Sequence, residues 1–104
     1  MLKKFYSNAL NKLFNSLFEK NKYSVIKFEL ESRRGSLVSV LNIIRDYNLD
    51  MTKIQSMPII ETPWKYSFFV DVLFDDYQAF QKAMEIIEVM TDHLKILGIY
   101  KNRL

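Results

Sequence analysis

The stretch Val25-Ile26-Lys27-Phe28-Glu29-Leu30-Glu31, then Ser32-Arg33-Arg34-Gly35, then Ser36-Leu37-Val38-Ser39-Val40-Leu41-Asn42-Ile43-Ile44 decides the fold. In its first part Ile26, Phe28 and Leu30 alternate with Lys27, Glu29 and Glu31, the period-two pattern of a strand with one buried face. In its last part Leu37, Val40, Leu41 and Ile44 recur at three- and four-residue spacing, forming one stripe of a helix. Ser36 has the side chain of a helix N-cap. The polar link between the two, ending in Gly35, reads as a turn. The predicted helix ends near Tyr47-Asn48.

Toward the C-terminus a second extended stretch runs from about Asp50 to Ile60 and stops at Thr62-Pro63. A third follows at once, with Trp64, Tyr66, Phe68, Val70 and Val72 alternating with Lys65, Ser67, Phe69 and Asp71. Two such stretches with a short Pro-containing connection predict an antiparallel hairpin. Asp75-Asp76 supplies caps and negative charge for a second helix, whose Phe80, Ala83, Met84, Ile87 and Met90 share a face. His93 to Tyr100 predicts a fourth strand, with Gly98 as a bulge or point of close approach.

Toward the N-terminus, Leu2, Phe5, Tyr6, Ala9, Leu10, Leu13, Leu17 and Phe18 recur at helical spacing until Asn21-Lys22 breaks the pattern. The expected organisation is an N-terminal amphipathic helix and linker over residues 1–22 and one domain over 23–104. The fold class is α+β, a ferredoxin-like βαββαβ sandwich: a four-stranded antiparallel sheet, two helices on one face, and the extra N-terminal helix. The other sheet face also carries apolar residues, so it is expected to meet a partner chain, another domain or the N-terminal helix.

Composition narrows the function classes. A chain of 104 residues has room for one domain, whose small core makes dimerisation a natural support. The absence of cysteine removes disulfides, thiol nucleophiles and thiolate metal sites, and fits the cytoplasm. The net charge of +3 is mild, and Lys3, Lys4 and Lys12 sit in an acid-free first 18 residues. No groove-reading motif accompanies them, and no apolar run reaches a membrane span, so neither nucleic acid nor membrane is expected as a partner.

Catalysis finds little support. His93 is the one histidine, and general acid–base work needs a second positioned group. The acids Glu29, Glu31, Asp75, Asp76, Glu85 and Glu88 read as solvated faces or caps, and no phosphate-cradling glycine loop occurs. The expectation is no catalytic site, no metal and no cofactor. Two segments remain. Gly35-Ser36-Leu37-Val38 places glycine before a helix N-terminus, which serves either a tight turn or a carboxylate held on free N–H groups. Ile54-Gln55-Ser56-Met57-Pro58 is polar within an apolar strand, which suits an edge or a ligand contact.

These two segments resemble the paired signatures of the ACT domain at the C-terminal end of prephenate dehydratase. Gly35-Ser36-Leu37-Val38 stands where the family has Gly-Ala-Leu-Val. Asp50-Met51-Thr52-Lys53-Ile54-Gln55-Ser56-Met57-Pro58 matches its Asn-Leu-Thr-x-Ile-Glu-Ser-Arg-Pro element. Trp64-Lys65-Tyr66-Ser67-Phe68-Phe69-Val70-Asp71 fits its Trp-x-Tyr-x-Phe-Phe-Val-Asp strand throughout, and Lys95-Ile96-Leu97-Gly98-Ile99-Tyr100 its Lys-x-Leu-Gly-x-Tyr close. The similarity runs from about Tyr23 to Lys101. Departures are Arg34 for proline, Asp50 for asparagine, Gln55 for glutamate and Met57 for arginine.

The resemblance implies a regulatory domain that dimerises and binds L-phenylalanine between subunits for feedback control of phenylalanine biosynthesis. It implies that the glycine element of one subunit faces the Ser-x-Pro element of the other. Gly35, Ser36 and Leu37 would give backbone donors to the ligand carboxylate. Val38 and Met57 would form apolar wall, Asp50 would meet the ammonium group, and Gln55, Ser56 and Pro58 would complete the site. The family's catalytic Thr-Arg-Phe signature does not occur, so a prephenate dehydratase catalytic domain would be a partner. The competing reading is a module of the same fold that binds no ligand and serves dimerisation or docking.

Overall fold

The structure, a computed structural model, describes residues 22–31 and 35–101. The helix predicted over residues 1–22 lies outside the described residues, except for Lys22, which opens the first strand. The elements are β1 (Lys22–Glu31), α1 (Ser36–Asp46), β2 (Asp50–Pro58), β3 (Lys65–Phe74), α2 (Tyr77–Met90) and β4 (Asp92–Lys101). This is the predicted β-α-β-β-α-β order.

The sheet order is β2-β3-β1-β4, and every neighbouring pair is antiparallel. β1 and β2 therefore run parallel to each other with β3 between them. Residues paired across antiparallel strands share a face. Ile26 pairs with Val70 and Ser24 with Val72, and all four are fully buried. They meet Val40 and Ile44 of α1 and Phe80, Ala83, Met84 and Ile87 of α2 in one core. Both helices thus lie on one face of the sheet. Phe74 and Phe80 stack with ring centroids 4.3 Å apart, which joins the end of β3 to α2. The buried Ser24 hydroxyl donates to the Gly98 carbonyl at 2.6 Å, so its burial leaves no orphaned polar atom.

Three local expectations are corrected. Ser36 does not cap α1: Gly35 is the N-cap at φ 88, and no side chain caps the helix. That left-handed turn suits glycine, and Ser36 is already helical. Trp64 is outside β3, at φ 67 and 77% exposed. Hydrogen bonds Thr62 N–H to Ile59 O and Lys65 N–H to Thr62 O turn the chain there, so alternation starts only at Lys65. Met90 ends α2 at the margin of the core and is exposed.

Other local readings hold. The Asp76 carboxylate accepts from the N–H groups of Gln78 and Ala79, capping α2. Gly98 is a point of close approach, since the Tyr100 ring occupies the space a Cβ would need. The β1–β4 register slips between Val25 and Ile26, where Gly98 and Ile96 are the partners, leaving Leu97 as the extra residue. A second slip on β4 holds His93 at φ 54.

Candidate functional site

β2 is an edge strand, and all nine of its residues are exposed. Its register divides them between the two sheet faces. Ile54, Ser56 and Pro58 pair with Val70, Phe68 and Tyr66, on the helix side. Gln55 and Met57 pair with Phe69 and Ser67, on the open side. Within one chain, then, Ser56 and Pro58 share the face carrying α1, whereas Gln55 and Met57 point away from it.

The ends of β2 matter as much. Pro58 pairs with Tyr66, which pairs with Leu30 near the end of β1. Gly35–Val38 opens α1 just beyond that end, so the glycine element and Ser56–Pro58 lie at the same end of the sheet. Gly35 and Val38 are exposed, and Ser36 and Leu37 are half-buried. Asp50 pairs with Leu73 at the opposite end. At ~3.3 Å per residue, Asp50 and Pro58 are separated by about 25 Å of strand. No small ligand could touch both in a single chain.

At the Asp50 end, a depression of about 440 Å³ opens between the second half of α1 and the start of β2. Leu41, Ile44, Leu49 and Met51 give it apolar walls, and Arg45, Asn48 and Asp50 give it polar groups. Asn48 at φ 61 turns the chain out of α1, and the Leu49 N–H closes on the Ile44 carbonyl at 2.9 Å. Of these residues sequence reasoning had picked out only Asp50 for the site. The others carried a signal in hindsight: Leu41, Ile44 and Arg45 are within one turn of helix, directly before the strand bearing Asp50.

A smaller hollow of about 230 Å³ lies at the other end, among Glu29, Leu30, Glu31, Ser36, Met90, Thr91 and Asp92. Two of its carboxylates are engaged by Lys65, whose Nζ is 2.9 Å from Asp92 and 3.7 Å from Glu29. The hydrogen bond to Asp92 is the main reason the Lys65 pKa rises above its ordinary value, with the Asp92 and Glu29 charges adding to it. The same bond holds the Asp92 carboxyl below its ordinary value. His93 is exposed on the bulge of β4. Among the described residues no group of three or more His, Cys, Asp or Glu side chains is arranged to hold a metal ion. Nor is any described helix long and apolar enough to cross a membrane.

The fold has close counterparts among solved structures. The ACT domain of a GTP pyrophosphokinase from Chlorobium tepidum superposes with a TM-score of 0.51 at 10% identity, over 76% of this chain and 91% of that one. The chain has the ACT-domain fold. The prephenate dehydratase of Arthrobacter aurescens, solved in complex with L-Phe, matches the ACT fold of this chain with a TM-score of 0.71 at 18% identity, over 79% of this chain and 28% of that one. In sequence, the bifunctional chorismate mutase/prephenate dehydratase of Enterobacter agglomerans is 39% identical over 67 residues. That match takes in 64% of this chain but only 17% of the relative's length. No family model matches the chain.

Proposed function

We propose that this ACT domain is a regulatory amino-acid-binding module that senses L-phenylalanine at a homodimer interface and confers feedback control on a prephenate dehydratase catalytic domain in the cytoplasm. The observation that carries the reading is the layout of β2. Among the described residues it is an edge that starts at the Asp50 depression and ends at Ser56–Pro58, at the same end of the sheet as the glycine element of α1. Two copies pairing their β2 edges antiparallel about a two-fold axis would lay the Asp50 end of each chain against the Pro58 end of the other. The 25 Å gap within one chain then closes between chains. Asp50 of one copy would meet Gly35, Ser36, Leu37 and Val38 and Ser56–Pro58 of its partner. The sequence relative and the L-Phe-bound structural neighbour support phenylalanine as the ligand.

Regulation on this reading is linkage. A ligand that binds one arrangement of the dimer more tightly than another shifts the population toward it, and any attached catalytic domain feels the shift.

The test is isothermal titration of the purified chain with L-phenylalanine, with L-tyrosine, L-tryptophan and L-leucine as controls. The expected result is saturable binding selective for phenylalanine and lost in Gly35→Val and Ser56→Ala. A folded dimer that takes up none of the four would overturn the sensor reading. One observation favours the competing module: Gln55 and Met57, two positions that depart from the family pattern, face the open side of the sheet and not α1.

A further inference from the structure

We infer that Arg45 is a ligand-binding residue, holding the carboxylate of an α-amino acid whose side chain lies on the apolar walls of the depression between α1 and β2. The inference rests on the reading that this chain binds an amino acid, and it assigns the carboxylate to a side chain of the same depression and not only to the partner's glycine element. The depression joins apolar walls to a cation. Leu41, Ile44, Leu49 and Met51 present no charge, while Arg45 brings a guanidinium to the same hollow. Its volume of about 440 Å³ is within the range of small-molecule pockets, about 300–1,000 Å³. Among the described residues β2 is an edge strand, so no neighbouring strand closes the mouth of the hollow.

Arg45 suits the role by geometry. It occupies the last turn of α1, and a planar guanidinium can take a carboxylate in two parallel hydrogen bonds. In this structure its Nε and one terminal nitrogen both reach one oxygen of the adjacent Asp46, each at 3.3 Å. That pair is long and largely exposed, at 74% and 57% of the two side chains. Exposed pairs of this kind contribute little, so a ligand carboxylate displaces Asp46 at small cost. The guanidinium is thus already directed at a carboxylate that is easily exchanged. The Gly35 N–H groups lie a full helix away, about 16 Å for the eleven residues of α1, so in one chain they do not serve this hollow.

The experiment compares L-phenylalanine with L-phenylalaninamide, which keeps the ammonium and ring but lacks the negative charge. Wild type, Arg45→Gln and Arg45→Lys are titrated, with circular dichroism confirming the fold. Wild type should prefer the acid over the amide by about tenfold or more, the scale of a charge-assisted hydrogen bond. Arg45→Gln should weaken the acid by that factor, leave the amide unchanged and so close the gap, and Arg45→Lys should restore part of it. If wild type binds phenylalanine and Arg45→Gln keeps the same preference, the assignment to Arg45 is overturned. If wild type binds neither compound, the amino-acid reading itself has failed.

Discussion

Gly35 sets the start of α1 by a backbone conformation that other residues adopt at a cost. At φ 88, with nothing within 4 Å of where a Cβ would stand, its replacement is penalised by the backbone alone. Gly35→Ala should therefore destabilise the domain by about 1–2 kcal/mol in urea denaturation, with no sign of a packing defect. Asp76→Ala removes the carboxylate that accepts two N–H groups of α2 and should cost about 1 kcal/mol by the same measurement. The contrast between these helix starts shows what single residues reveal. Asp76 was readable as a cap because its side chain does the work. Ser36 was misread because a serine beside a glycine leaves open which of the two makes the turn, and only the backbone angle decides. Trp64 is a similar case: it continues the alternation of β3 in sequence, yet a left-handed turn takes it out of the strand.

Elements were readable in proportion to how one-sided their burial is. β1 alternates buried and half-buried residues along nearly its whole length, and β3 does so in its second half, because their helix-side faces form the core. α2 likewise shows its stripe of Phe80, Ala83, Met84 and Ile87. β2 is exposed throughout, so its pattern is weak, and neither its bulge near Thr52 nor its edge position could be read from period alone. The site shared this fate. Its candidate segments stand out by their residue types, but the end of the sheet each occupies depends on strand direction and order. At this scale a pH effect follows from Lys65, which ties β3 to β1 and β4. Asp92 is held below its ordinary value, so its contribution is full above the ordinary carboxyl range and is lost as pH falls through that lowered value. Lys65 is raised, so its contribution persists at neutral pH and is lost only above its ordinary alkaline range. Lys65→Met should melt slightly below wild type at pH 7, and the difference should shrink as the pH falls through the lowered Asp92 value. Thermal unfolding across that range checks it.

Among the described residues the molecule is a single sheet with the helices on one face and β2 and β4 at its edges. If β2 is the dimer edge, a lysine at its midpoint would oppose its own copy across the two-fold axis. Ile54→Lys should then convert a dimer to a monomer in sedimentation equilibrium, with unchanged circular dichroism and loss of L-phenylalanine binding. A dimer that survives the substitution would move the interface elsewhere. The pairing of β1 with β4 has a mechanical consequence. Lys22 stands opposite Lys101, so the first and last described residues of the sheet are neighbours across adjacent antiparallel strands. Tension applied at those two points would peel β4 from β1 one rung at a time, as a zipper opens, and would not load all the rungs together as shear does. β4 would be stripped at low force while β2 and β3 remained paired. The same adjacency would let a short linker join Lys101 to Lys22, so that a circular permutant opened in the 59–64 connection keeps the core.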